Sequence, residues 1–163
     1  MPLNTKKNSY LDLTQAAAWF NDRPSLAAQW NSLSQAGQEE ALILATDYLE
    51  QRYKGQWKGA ILSTKQALDF PRTGVFDNQG RDLGAIPAPL VGAVCLLAYK
   101  ANVEKLALSP DVAAGGQPVT ESIGPISSTY ARGASALTRY VQVESLVEPL
   151  LNEFKKGKKV KRG

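Results

Sequence analysis

Histidine is absent from all 163 residues, and cysteine occurs once. The lack of histidine removes the commonest general acid–base side chain and the commonest metal ligand. A single thiol, Cys95, excludes an internal disulfide and any cysteine-based zinc cluster. It stands among Val94, Leu96 and Leu97, which predicts a buried, reduced thiol. No glycine–lysine pair follows another glycine at the spacing of a phosphate-binding Walker loop, and neither GxGxxG nor GxSxG occurs. Carboxylates such as Asp47, Glu50, Asp69 and Asp77 are scattered over helix faces and turns. These gaps predict a protein that is not an enzyme and uses no metal and no cofactor.

Long apolar runs are missing as well. The longest uncharged stretch, Leu83 to Tyr99, is shorter than the roughly 20 residues a membrane-spanning helix needs, and Pro87 and Pro89 suit a loop entering a helix better. The opening Met1-Pro2-Leu3-Asn4-Thr5-Lys6-Lys7 lacks the apolar core of a signal peptide. A soluble chain with no sign of secretion is expected.

Negative charge is missing from the last nine residues, which hold six cations: Lys155, Lys156, Lys158, Lys159, Lys161 and Arg162, before Gly163. That leaves 13 basic against 15 acidic side chains in the first 154, a net −2 beneath an overall +4. The body is slightly acidic with a basic tail, so the overall pI of 9.2 describes neither.

What is present reads as a mainly α protein: a small bundle of four to five helices, with a long loop or short β-hairpin over about 109–135 and an extended basic C-terminal tail. Residues 1–9 are polar and read as a flexible arm, 10–154 as one helical domain, and 155–163 as the tail. Asp12 or Thr14 can cap an alanine-rich first helix, which Pro24 ends or follows with a new turn. Ala41, Leu42, Ala45, Tyr48 and Leu49 recur at helical spacing and predict a helix from about Gly37 to Tyr53. A short helix over Ser63–Leu68 is predicted from Ser63 as cap and good formers behind it. Phe70-Pro71 stops it. Pro87 or Pro89 can open a central core helix running to about Leu106. The segment from Ser109 to Ser135 is rich in glycine and proline, and its alternation from Val119 through Ile123 to Tyr130 suggests a short hairpin or protruding loop. A last helix is predicted from Thr138 to Phe154, kinked or divided at Pro149.

Two features could make contacts. Arg52-Tyr53-Lys54-Gly55-Gln56-Trp57-Lys58 interleaves aromatics with cations, the mixture single-strand binders use to stack bases and neutralise phosphates. The competing reading makes Tyr53 and Trp57 core anchors at a helix end with the lysines reaching outward. The second feature is the basic tail, which is either a mobile, solvated end or a docking element.

The order of segments resembles the head–tail connector, or adaptor, proteins of tailed bacteriophages, a family also described as DnaT-like. The resemblance rests on Asn8-Ser9-Tyr10-Leu11 with Ala17-Ala18-Trp19-Phe20, and on Glu40 through Leu49. It continues with Trp57-Lys58-Gly59 and, most specifically, Gln66 through Val75, where relatives usually carry tryptophan at the place of Phe70. Ile86-Pro87, Ile123-Gly124-Pro125-Ile126 before Tyr130, and Lys161-Arg162-Gly163 complete it. Lys105-Leu106-Ala107-Leu108 departs from a glycine–leucine step in that family. The resemblance implies a virion protein of the neck, assembled in the host cytoplasm, that forms a dodecameric ring beneath the portal and joins it to tail proteins. DNA would be a passenger only, which a near-neutral body suits. The basic tail would dock on acidic portal surface, and Val119, Ile123, Gly124, Pro125, Ile126 and Tyr130 would meet the tail or a neighbouring subunit. Trp57, Gly59, Phe70, Pro71, Arg72, Thr73 and Gly74 would form a rigid internal corner, with Phe70 under the central helix and Arg72 bridging to a carboxylate or backbone carbonyl. The alternative is a single-stranded-DNA-binding module, as the DnaT-like description says; a third reading is a monomeric tail-completion plug.

Overall fold

The structure is a computed structural model that describes residues 2–5, 7–105, 108 and 140–152, together with the backbone of 120–123 and 126–129. The chain divides into two compact units, residues 1–108 with 140–163, and residues 109–139. Among the described residues the fold is mainly α, with five α-helices.

In the larger unit, α1 (Leu13–Asn21) starts where Asp12 accepts from the Gln15 amide at 2.8 Å and the Gln15 side chain returns the bond to the Asp12 N–H at 3.0 Å. This reciprocal cap satisfies two N–H groups that a helix start otherwise leaves open. Helix α2 (Pro24–Asn31) follows directly, with Pro24 in its first turn where a missing N–H costs nothing. Helix α3 (Gln35–Tyr53) is capped by Ser34, close to the helix expected over 37–53.

The core lies between α3 and α4 (Ala88–Asn102), the most extensively packed pair. Helix α3 contributes Ala41, Leu42, Ala45, Leu49 and Tyr53 from one face. Helix α4 is buried on most sides, because α1, α3 and α5 (Val141–Val147) all pack on it. That enclosure explains its apolar run Val94-Cys95-Leu96-Leu97, broader than a surface helix carries. Each fully buried leucine here, such as Leu42, Leu90 and Leu97, stabilises the fold by about 1.5–3 kcal/mol relative to exposure.

Three expected elements differ. The helix over Ser63–Leu68 does not form. The Ser63 hydroxyl accepts from the Lys65 N–H, the Gln66 side chain accepts from the Ser63 N–H, and its amide donates to the Leu68 and Pro71 carbonyls at 2.7 and 3.0 Å. Local side-chain bonds thus take over the backbone groups a helix would use. Helix α4 ends at Asn102 rather than near Leu106; Asn102 donates its amide to the Gly37 carbonyl, and Lys105 turns the chain with a left-handed φ of 54°. The closing helix is shorter than predicted: α5 passes into one 3-10 turn, Glu148–Leu150, with Pro149 inside it.

Two small sheets complete the described structure. β1 (Ala60–Ile61) pairs antiparallel with β2 (Arg72–Thr73), Ala60 opposite Thr73. In the smaller unit, β3 (Thr120–Ile123) and β4 (Ile126–Thr129) form an antiparallel hairpin, Ile123 opposite Ile126. Near the start of the chain, the Asn4 N–H donates to the Asn8 side chain at 2.7 Å, and the Tyr10 N–H to the buried Thr46 hydroxyl at 3.1 Å. Among the described residues no helix is long and apolar enough to cross a membrane.

Candidate nucleic-acid interface

The cation-and-aromatic segment Arg52 to Lys58 lies at the C-terminal end of α3 and the turn that follows. Its two rings point inward. Tyr53 is 8% and Trp57 2% exposed, with ring centroids 5.5 Å apart. Phe70 closes on Trp57 edge-to-face at 5.1 Å and on Tyr10 at 5.6 Å. Neither Tyr53 nor Trp57 can therefore stack on a base; both are anchors of the core. What the segment shows to solvent is charge: Arg52 and Lys54 are exposed and Lys58 half-buried. Arg52 reaches Glu144 of α5 at 3.7 Å, a partly exposed pair worth about 0–1 kcal/mol that a phosphate could compete with.

The corner Phe70-Pro71-Arg72-Thr73-Gly74 sits beneath this segment. Arg72 donates to three backbone carbonyls, Lys58 and Gly59 at 2.8 Å and Asp69 at 3.1 Å. With one N–H from each of its three nitrogens given to a backbone carbonyl, Arg72 acts as a clamp on the chain. Gly59 adopts a φ of +71°, and a Cβ placed there would collide with the Thr73 carbonyl. The strand β2 thus crosses so close to residue 59 that only glycine fits.

Behind the corner, the Glu50 carboxylate accepts from the Tyr10 hydroxyl and the Asp69 N–H, both at 2.6 Å. Burial is the main reason its carboxyl is held above the ordinary 4.5; the two donors oppose the shift and Asp69 reinforces it. Asp69 Oδ2 and Trp57 Nε1 are buried without a partner among the described residues.

The chain's closing stretch returns to the cationic segment. Lys58 N–H donates to the Leu150 carbonyl at 2.8 Å, Asn152 N–H to the Gln56 carbonyl at 2.8 Å, and the Asn152 side chain to the Trp57 carbonyl at 2.9 Å. The root of the basic tail is therefore fastened beside Lys54 and Lys58.

A second feature was not legible as a contact site in the sequence. A groove of about 670 Å³ opens between α1, α2, α4 and α5. At its edge the Arg23 guanidinium lies 3.7 Å over the Trp19 ring and donates to the Trp19 carbonyl at 2.8 Å. The available signal was an aromatic and a cation four residues apart at a helix end, just before Pro24.

The remaining expected contact residues, Val119, Gly124, Pro125, Tyr130 and Lys155 through Gly163, lie outside the described residues; Ile123 and Ile126 are the pair at the end of the hairpin.

Comparison with known proteins bears on what this arrangement serves. The model of a family described as "Putative DnaT-like ssDNA binding protein" matches residues 3–163. The chain belongs to this DnaT-like family. No curated protein and no solved structure matches it. The membership overturns the connector reading, and with it the portal and tail partners, the dodecameric ring, the virion role and DNA as a mere passenger. Net charge averages over the body: a total of −2 does not exclude a local cluster such as Arg52, Lys54 and Lys58, nor the six cations of the tail.

Proposed function

We propose that this DnaT-like chain is a single-stranded-DNA-binding module and not an enzyme. Family membership over residues 3–163 carries the reading. The geometry supports it by setting exposed Arg52 and Lys54, and half-buried Lys58, beside the bonded root of the Lys155–Arg162 run. Phosphates of a strand would be neutralised by these cations with release of condensed counterions, so binding would be steep in salt. Bonding of the root to Gln56 and Trp57 keeps the tail cations at high effective concentration next to a strand already held by Lys54 and Lys58. Such contacts carry no sequence information, so little sequence preference is expected from this face.

The test is a salt titration of affinity for a fluorescein-labelled oligothymidylate. The logarithm of affinity should fall with the logarithm of salt by about 0.7 per phosphate neutralised. Deleting residues 155–163 should make the slope shallower by up to about 4, for the six cations removed. Lys54→Gln with Lys58→Gln should flatten it further. A full chain with no measurable affinity at low salt overturns the reading.

A further inference from the structure

The groove between α1, α2, α4 and α5 is chemically unlike the cationic segment. Its floor is apolar: Gly92 and Leu96 of α4 face Leu146 of α5. Gly92 lets Leu146 and Trp19 pack close against α4, since a Cβ there would stand 3.3 Å from Leu146 Cδ1 and 3.5 Å from Trp19 Nε1. The Trp19 indole N–H meets no acceptor among the described residues, and Trp19 is half-buried where Trp30 and Trp57 are 1% and 2% exposed.

The rim is cationic. Arg23 lies over the Trp19 ring at 3.7 Å, held there by its bond to the Trp19 carbonyl, and is an exposed residue. Lys100 lines the groove too, but its charge is matched by Glu104, which also lines it and pairs with it at 3.4 Å, so the net charge comes from Arg23. The first turns of α2 and α4 also open here, at Ser25 and Ala88. Neither helix has a side-chain cap, and the Ser25 and Ala88 N–H groups meet no acceptor among the described residues. Two helix starts add partial positive charge to that of Arg23.

We propose that this groove is a stacking pocket for one nucleotide of single-stranded DNA. The base extends the Trp19–Arg23 stack over the apolar floor, and its phosphate meets Arg23 and the amides of Ser25 and Ala88. A planar apolar ring joined to an anion matches a planar cation beside an apolar cleft; arginine faces and aromatic rings are the surfaces on which single-stranded bases stack. The volume falls within the roughly 300–1,000 Å³ of small-ligand pockets. The two sites also flank one short helix: Glu144 of α5 touches Arg52, and Leu146, two residues on, lines the groove. Residues two apart face different sides of a helix, so a strand leaving Arg52 reaches the groove across about one helix diameter, roughly 10–12 Å.

This assignment rests on the single-strand-binding reading, and the experiment separates the two. Binding of the labelled oligothymidylate is followed by anisotropy and, with unlabelled oligothymidylate, by tryptophan fluorescence, whose change on binding comes chiefly from Trp19 because Trp30 and Trp57 are buried away from a ligand. The wild type should bind with quenching. Trp19→Phe should lose the quenching, and Arg23→Ala should weaken affinity by about tenfold, the loss expected for one stacked base. Ser25→Glu adds a charge that suits a helix start but repels phosphate, so it should fold as the wild type and bind more weakly. Tight binding without quenching, unchanged in Arg23→Ala and Ser25→Glu, overturns the pocket and leaves the single-strand reading standing. Absence of any oligonucleotide binding overturns both. Quenching by an amphipathic peptide but not by the oligonucleotide would make the groove a protein dock and likewise overturns the assignment.

Discussion

The side chain of Asn152 donates to the carbonyl of Trp57 at 2.9 Å, across 95 positions of sequence. That bond joins the end of the last helical turn to the segment that carries Lys54 and Lys58, and it fastens the base of the cationic tail. Asn152→Ala should lower stability by about 1 kcal/mol, the typical net worth of one hydrogen bond. It should also weaken oligonucleotide binding, by less than deletion of 155–163 does. Thermal melting and anisotropy check both; equal losses for the point variant and the deletion would mean the tail acts only through its root.

Phe70 is 1% exposed between the edges of Tyr10 and Trp57. Phe70→Ala should cost about 3–5 kcal/mol, as a large truncation in a well-packed core does. Urea denaturation measures it, and a midpoint close to wild type would show that the ring is not an anchor.

Arg72 serves three carbonyls. Arg72→Ala would leave them short of donors and should destabilise by about 1–3 kcal/mol. Lys should not rescue it, because an ammonium cannot reproduce the planar fork. The folded fraction should still bind oligonucleotide like wild type. A shallower salt slope in Arg72→Ala, restored by Arg72→Lys, would instead make Arg72 a phosphate ligand.

Burial raises the Glu50 carboxyl above its ordinary 4.5, so the folded chain holds this proton more tightly than the unfolded chain. Its contribution to stability is complete below pH 4.5 and is lost as pH rises through the folded value. Glu50→Gln keeps an oxygen to accept from Tyr10 and Asp69 but cannot ionise. It should melt higher than wild type at pH 8, with the gap closing toward pH about 4.5. A gap that stays constant across that range would rule out the linkage.

Burial also pushes the Cys95 thiol up to about 12. A thiol reagent at neutral pH should therefore label it only on the unfolding timescale, and denaturant should accelerate labelling in step with loss of helix. Fast labelling of the native chain would mean α4 opens locally.

How far the sequence spoke depended on the range of the interactions. The α3 stripe, the proline that opens α4 and the division at Pro149 are local or periodic signals, and each was legible. Helix α2 was not, because only Trp30 among its residues is fully buried and its pattern is correspondingly weak. The failed helix over Ser63–Leu68 had good formers but lost its backbone groups to Ser63 and Gln66. Propensity is a weak prior against such competition. For the site, the Arg52–Lys58 segment was visible as a pattern, but which way its rings pointed was not. The Trp19–Arg23 groove was invisible because its walls come from four helices distant in sequence.

By itself the sequence determined the helical class, the absence of histidine and disulfide chemistry, and the split between a slightly acidic body and a basic tail. These follow from composition and from periodicity over a few turns. Tertiary structure alone decided that Tyr53 and Trp57 are sealed in the core, that Arg72 clamps three backbone carbonyls, and that Asn152 bonds back to Gln56 and Trp57. Burial and hydrogen-bond partnership belong to pairs of residues far apart in the chain, and no local pattern encodes which partner a side chain will meet.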